Sequence, residues 1–267
     1  MTRSASYTTL TDATRLVVKV FPPSESRSAK REAQAYELLR RLDASLAPVL
    51  VARELNEDGY SFLVLSDTGG WTLERACRDE LVRATVIGHL LAEIHSLSLP
   101  CIKASRALGE WCGRGSPFSR RMSDLATGLD TIGMSVPASM AAESRARIDE
   151  TSPRRVCICH GDLHAANVIA ARNDPGVWKV IDFEGFSVGP PECDIAKTLV
   201  VSDWISRTRR EYLLAAYEAV EEINESLLDA FVVIHAVEGW FYAGVLEGRD
   251  RGPWDVRLGS GGLASRS

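Results

Sequence analysis

The stretch Val156-Cys-Ile-Cys-His-Gly-Asp-Leu-His-Ala-Ala-Asn-Val-Ile169, followed by Val180-Ile-Asp-Phe-Glu-Gly185, constrains this chain most. Two short apolar runs flank a polar core of His160, Asp162, His164 and Asn167, and Asp182 stands at the end of a third run. Runs of this length bounded by polar residues read as buried strands with a loop between them. Two chemistries compete for the loop. His160, Asp162 and His164 alternate as zinc ligands on an extended segment can, and Cys157 and Cys159 add soft donors. That reading leaves Asn167 and the Asp182-Phe-Glu run without a role. A plain polar loop, with its Asp and Asn in local turn bonds, leaves the whole ordered string unexplained.

A carboxylate, an amide five residues on, and a second carboxylate after a strand resemble a kinase catalytic loop and its metal-binding aspartate. In the form His-Gly-Asp-x-x-x-x-Asn the string resembles the aminoglycoside phosphotransferase and choline kinase group. The resemblance makes Asp162 the residue that accepts or orients the proton of the attacking hydroxyl. Asp182 becomes a magnesium ligand, since that cation prefers carboxylate and phosphate oxygens. Asn167 holds a second magnesium or the loop itself. His160 is then a structural histidine packed under the loop, and His164 shapes it. Cys157 and Cys159 act as small core hydrophobes.

The expected elements begin with two strands over 6–21, around a turn at Thr11-Asp-Ala-Thr14 and ended by Pro22-Pro23. Lys19 lies in the second strand. Alone it would face solvent; the resemblance makes it the lysine that contacts the nucleotide phosphates. A helix over about 28–42 follows, with Ala35, Leu38, Leu39 and Leu42 as its buried stripe. Glu32 falls toward that stripe and Glu37 on the opposite face with Arg41. Glu32 is therefore the partner expected for Lys19, although a first-turn glutamate also suits the helix dipole. Two more strands over 48–66 close on a turn at Asn56-Glu-Asp-Gly59. The break at Ser66-Asp-Thr-Gly-Gly70 corresponds to the family's hinge, which brings Ser66 and Thr68 to the nucleotide base.

Beyond Thr72 the pattern is helical: about 80–97, 118–131, 138–150, 207–222 and 225–247, with an irregular stretch over 98–117. Asp194, in Glu192-Cys-Asp-Ile-Ala196, resembles the aspartate that supports the catalytic loop backbone; it also reads as a helix cap. On the last helix Glu238 falls within the apolar face of Leu227, Phe231, Ile234 and Phe241. A charge there needs a cation or a cleft. Glu238 and Asp203, beside Trp240 and Trp204, are therefore expected to hold the acceptor. The alternative is a salt bridge from Glu238 to an arginine such as Arg207.

The resemblance implies an α+β, two-lobed, protein-kinase-like fold: a shortened N-terminal antiparallel-sheet lobe and a mainly helical C-terminal lobe. The expected divisions are 1–66, 67–258 and a disordered tail over 259–267. Its members phosphorylate hydroxyls of small molecules with Mg2+ and a nucleotide triphosphate, ATP or GTP. Antibiotic resistance or self-protection is the expected setting, with a metabolic alcohol or sugar kinase, or a catalytically weak nucleotide-binding pseudokinase, as alternatives. The pseudokinase arises because few residues precede the Lys19 strand and no Gly-x-Gly-x-x-Gly covers the phosphates.

Composition narrows the partners. The net charge of −5 gives no general attraction to nucleic acid or anionic membrane and favours a cationic small substrate. The six cysteines are scattered without a Cys-x-x-Cys, which suits reduced thiols, and the start lacks a signal peptide's apolar run. A cytoplasmic protein is expected.

Overall fold

A computed structural model describes residues 5–11, 14–42, 45–98, 117–131, 134–151, 153–172, 174–205 and 207–242. The irregular stretch expected over 98–117 lies almost entirely outside them, and the tail over 259–267 wholly so. The fold is α+β, and the chain divides into two compact units. One comprises Met1–Arg83 with Cys159–Ser187, the other Ala84–Ile158 with Val188–Ser267.

The first unit begins with β1 (Ala5–Thr11) and β2 (Thr14–Phe21), an antiparallel hairpin that places Ser6 opposite Lys19. Pro22 and Pro23 end it, because proline has no N–H for a further ladder bond. A short 3-10 turn leads into α1 (Ser26–Arg41). Strands β3 (Leu50–Glu54) and β4 (Ser61–Ser66) complete an antiparallel sheet of order β1-β2-β4-β3, with Lys19 opposite Leu63. The turn between β3 and β4 is held by Asn56, whose side-chain oxygen accepts from the Asp58 and Gly59 N–H groups. Phe21 and Leu63 meet Ala29 and Ala33 of α1 in a fully buried cluster, with Leu50 at its edge. The alanines bring the helix close to the sheet and leave Glu32 facing inward.

The boundary expected at residue 66 does not coincide with this division. After β4 the glycines enter a strand, β5 (Gly69–Thr72), which pairs with β7 (Val168–Ala171); β7 in turn pairs with β8 (Asp174–Val180). The Val180 N–H also donates to the Leu46 carbonyl at 2.7 Å. These long-range backbone bonds tie the loop of Asp162 and Asp182 into the same unit as Lys19. A reading by order along the chain assigns that loop to the helical lobe, because β5 gives no sign in sequence of its distant partner.

A short helix, α2 (Leu73–Ala76), precedes α3 (Glu80–Ser96). The second unit is helical: α3 from Ala84 onward, α4 (Pro117–Thr131), α5 (Ser135–Glu150), α6 (Pro191–Val201), α7 (Arg207–Glu218) and α8 (Glu225–Phe241). Two short strands, β6 (Cys157–Cys159) and β9 (Ser187–Gly189), pair with each other. Helix α8 packs on α5 and α6 and buries Leu227, Leu228, Phe231 and Ile234. Asn224 caps it, accepting from the Leu227 N–H at 3.2 Å. On α3, a Cβ at Gly88 would lie 2.4 Å from the Leu213 carbonyl oxygen, so glycine is what lets α7 approach. No helix among the described residues is long and apolar enough to cross a membrane.

Candidate active site

Lys19 is 7% exposed and Glu32 fully buried. The Lys19 ammonium donates to Glu32 Oε2 at 2.8 Å and to Asp182 Oδ1 at 2.7 Å, and Glu184 Oε1 lies 2.8 Å away. Three carboxylates thus surround one cation, and an ammonium has three N–H groups to give. Glu37 is elsewhere, paired with Arg53 at 3.0 Å. The inward face of α1, read from its apolar stripe, is what separates the two glutamates.

The electrostatics follow from that crowding. Burial opposes the charge on Lys19, but Glu32 and Asp182 outweigh it, so the lysine pKa is raised and the cation persists through the neutral range. Burial pushes Glu32 up to about 7; Lys19 opposes the shift and the other two carboxylates add to it. Tyr36 donates to Glu32 Oε1 at 3.3 Å, and burial, then Glu32, hold its phenol well above its ordinary value as a permanent donor.

Glu32 has a measurable consequence. Its folded pKa of about 7 lies above the ordinary 4.5, so the folded state holds an extra proton between those values. Stability must then fall as pH rises through that window, because the folded state binds the more protons. In chelator, the Tm of the parent protein should decline from pH ~5 to ~7, whereas Glu32→Gln should give a flatter profile. Equal slopes in the two proteins would contradict the assignment.

The segment from His160 to Asn167 is locked to the Asp182 segment. His160, fully buried, lies with Nε2 3.0 Å from the Ile181 carbonyl, while Nδ1 accepts from the Asp162 N–H at 3.2 Å. Its ring packs on Phe183 at 4.6 Å between centroids, and Phe183 meets the edge of Tyr36 at 5.4 Å. Gly161 has φ +82, and a Cβ there would stand 2.2 Å from the Gly185 carbonyl oxygen. The glycine after His160 is therefore required by both its backbone conformation and this close approach. The Ile181 N–H donates to the Asn167 carbonyl at 3.0 Å.

Asp162 itself is available: its carboxylate is 45% exposed, and its nearest cationic candidate, His164 Nε2, is 3.8 Å away. Its backbone does the structural work, its carbonyl accepting from the Asn167 amide at 3.0 Å. His164 begins the 3-10 turn over Ala165–Asn167, its Nδ1 accepting from the Ala166 N–H at 3.3 Å. Both ring nitrogens of His160 are committed to the backbone, so the alternating zinc set does not form.

Asp182 adopts a left-handed backbone, φ 67 and ψ 61. Such a conformation costs a non-glycine residue roughly 1–3 kcal/mol and persists only where the surroundings enforce it. Its carboxylate is 39% exposed. Ligand oxygens of Glu32, Asp182 and Glu184 all lie within 4.8 Å of one another. An all-oxygen, carboxylate-rich set suits a hard cation such as magnesium. Glu184 was not singled out by sequence reasoning, although its place two residues after Asp182 was the available signal. Arg31 steadies it, donating to its carbonyl at 3.1 Å.

The remaining candidates fall as follows. The Ser66 hydroxyl accepts from the Val49 N–H at 2.9 Å, and the Thr68 carbonyl accepts from the Arg172 N–H at 3.0 Å. Between them Asp67 meets Arg15 at 2.7 Å. Asp194 is inside α6 rather than capping it: the helix begins at Pro191, and Asp194 Oδ2 lies 3.0 Å from His95 Nε2 in the second unit. His95 also meets the Tyr217 hydroxyl at 3.0 Å. Glu238 is buried, as its place on the apolar face implies, but its partner is not Arg207. Arg207 pairs with Glu211 one turn along α7, and Glu238 Oε2 lies 3.0 Å from His235 Nδ1. Asp203 is exposed with φ 57. Trp204 and Trp240 are core residues, 3% and 5% exposed, and offer no open ring face.

The lysine–glutamate pair, the His-Gly-Asp loop and the left-handed aspartate fit the class of kinase-like phosphotransferases. The sequence profile of the phosphotransferase enzyme family matches residues 3–228, and the chain belongs to that family. Its fold is similar to that of aminoglycoside phosphotransferase APH(4)-Ia, with TM-score 0.65, 14% identity, and 98% of this chain and 91% of that one covered. Spectinomycin phosphotransferase APH(9)-Ia, solved with ADP and spectinomycin, gives 0.61 at 13% identity over 97% and 86%. A Haemophilus somnus protein described as a fructosamine-3-kinase gives 0.63 at 14% over 96% and 85%. No curated protein sequence matches the chain.

Proposed function

We propose that this protein transfers the γ-phosphate of ATP or GTP to a hydroxyl of a small polar acceptor, with magnesium. The acceptor class is a hydroxylated, amine-bearing compound such as an aminoglycoside or nucleoside antibiotic. The observation that carries the reading is the Lys19 ammonium held between buried Glu32 and half-exposed Asp182, in the unit that also holds half-exposed Asp162. The ADP and spectinomycin bound by the spectinomycin enzyme support both donor and acceptor class. The net charge of −5 suits an amine on the acceptor.

Each residue then has a task. Glu32 fixes the Lys19 ammonium, and the two donors that Lys19 now gives to Asp182 and Glu184 are those a phosphate takes. Asp182, Glu184 and Asn167 are the groups that would hold magnesium, which supplies charge neutralisation at the transferring phosphoryl group. Asp162 accepts the proton from the acceptor hydroxyl as that oxygen bonds to phosphorus and the bond to the nucleoside diphosphate breaks. Asn167, donating to the Asp162 carbonyl, keeps the loop in shape. Ser66 and Thr68 border the base. Glu238 is occupied by His235.

Lys19→Ala should lower kcat/KM for nucleotide by about two orders of magnitude, the usual cost of losing one aligned charge in a reaction of this kind. Glu32→Gln should cost less, because the Lys19 ammonium remains and the glutamine carbonyl can still accept one of its N–H groups. Calorimetric titration with ATP and GTP tests the donor site directly. Binding that requires magnesium and weakens in Lys19→Ala is expected; metal-independent binding of equal strength in both proteins would refute the site.

A further inference from the structure

In the second unit, Cys193 stands in the first turn of α6, partly exposed. Its Sγ is 3.5 Å from His235 Nε2 on α8. The other ring nitrogen, Nδ1, lies 3.0 Å from Glu238 Oε2, and Glu238 is buried. A thiol, an imidazole and a carboxylate thus stand in line, the order in which a nucleophile, its base and the group that orients the base are arranged. Phe231, one turn earlier on α8, stacks with the His235 ring, centroids 6.5 Å apart and planes 21° apart. The phosphotransfer reading uses neither Cys193 nor His235.

We propose that Cys193 is a modification site, a thiol activated by His235 that forms mixed disulfides with small disulfides. With the Nδ1 proton held by Glu238, Nε2 presents its lone pair to the Cys193 thiol and takes its proton. The Cys193 carbonyl, 3.2 Å from Nε2, then accepts the new N–H and stabilises the imidazolium beside the thiolate. The start of an 11-residue helix adds a positive dipole end. The neighbouring acids are engaged elsewhere: Glu192 accepts from the Asn224 N–H at 3.1 Å, and Asp194 faces His95. The thiolate attacks one sulfur of the disulfide, an Sγ–S bond forms, the original S–S bond breaks, and the departing thiolate takes the proton from His235.

The test is the rate of reaction of the full chain with limiting 2,2′-dipyridyl disulfide near neutral pH, read site by site by peptide mass mapping. Cys77 is the internal reference, a partly exposed thiol whose Sγ contacts the Asp79 carbonyl at 3.4 Å. Cys193 should react about tenfold faster than Cys77, as for a thiol paired with an imidazole. In His235→Gln, which can still donate to the Cys193 carbonyl, the Cys193 rate should fall to that of Cys77 while Tm holds. Glu238→Gln should lower it in the same direction. A parent protein in which Cys193 reacts no faster than Cys77 overturns the proposal without recourse to any variant. An unchanged Cys193 rate in folded His235→Gln overturns it as well.

Discussion

Asp182→Asn is expected to remove magnesium-dependent nucleotide binding and to lower transfer about a thousandfold, since a bound metal supplies several kcal/mol of charge stabilisation to such a transition state. Asparagine is the informative replacement. At φ 67 an alanine adds backbone strain of its own, whereas asparagine tolerates the left-handed region. The variant should fold, because Lys19 retains Glu32 and Glu184. Its Tm in chelator should stay near that of the parent, while the rise in Tm given by magnesium and nucleotide together disappears. An Asp182→Asn protein that still gains full stability from that pair would remove Asp182 from the site.

Asp162→Asn should behave differently. Transfer should fall ~10²- to 10⁴-fold, the usual worth of a proton-accepting group, with nucleotide affinity and Tm unchanged. The structure explains the separation. The Asp162 backbone N–H and carbonyl hold His160 and Asn167, whereas its carboxylate is 45% exposed and carries none of the loop's support. Steady-state kinetics with separately measured nucleotide dissociation constants check this. Near-parental turnover would show that another group takes the proton.

Where geometry is local, the sequence was a good guide. The Lys19 strand, the turn at Asn56 and the inward Glu32 follow from alternation, turn chemistry and helical spacing, each of which acts over a few residues. Long-range pairing was less legible. Gly69–Thr72 reads as a loop on composition and becomes a strand only because β7, a hundred residues on, supplies its partner. The same pairing moves the Asp162 segment into the Lys19 unit, against a division read from chain order. Glu238 was correctly placed on a buried face, but its partner was not legible. Arg207 is drawn off by Glu211 at i+4, and His235 wins at i−3 on the helix Glu238 itself occupies. Trp204 and Trp240 illustrate a related limit: an aromatic beside an acid in sequence does not reveal which of them faces the core. Asp182 alone satisfies the motif, so the sequence gives no reason to add Glu184; only the convergence of three carboxylates on Lys19 gives it a role.

On the proposed function, Lys19, Glu32, Asp182 and Glu184 serve phosphoryl transfer to a hydroxyl, with Asp162 as the base. The most direct test uses γ-labelled ATP and GTP with a panel of hydroxylated, amine-bearing antibiotics and simple sugars or alcohols, following label into acceptor and into inorganic phosphate. Magnesium should support transfer to at least one acceptor, zinc chelation should leave it intact, and Asp162→Asn should lower it ~10²- to 10⁴-fold. Label released only to water at a rate indifferent to every acceptor, or transfer that needs zinc and ignores magnesium, would contradict the account.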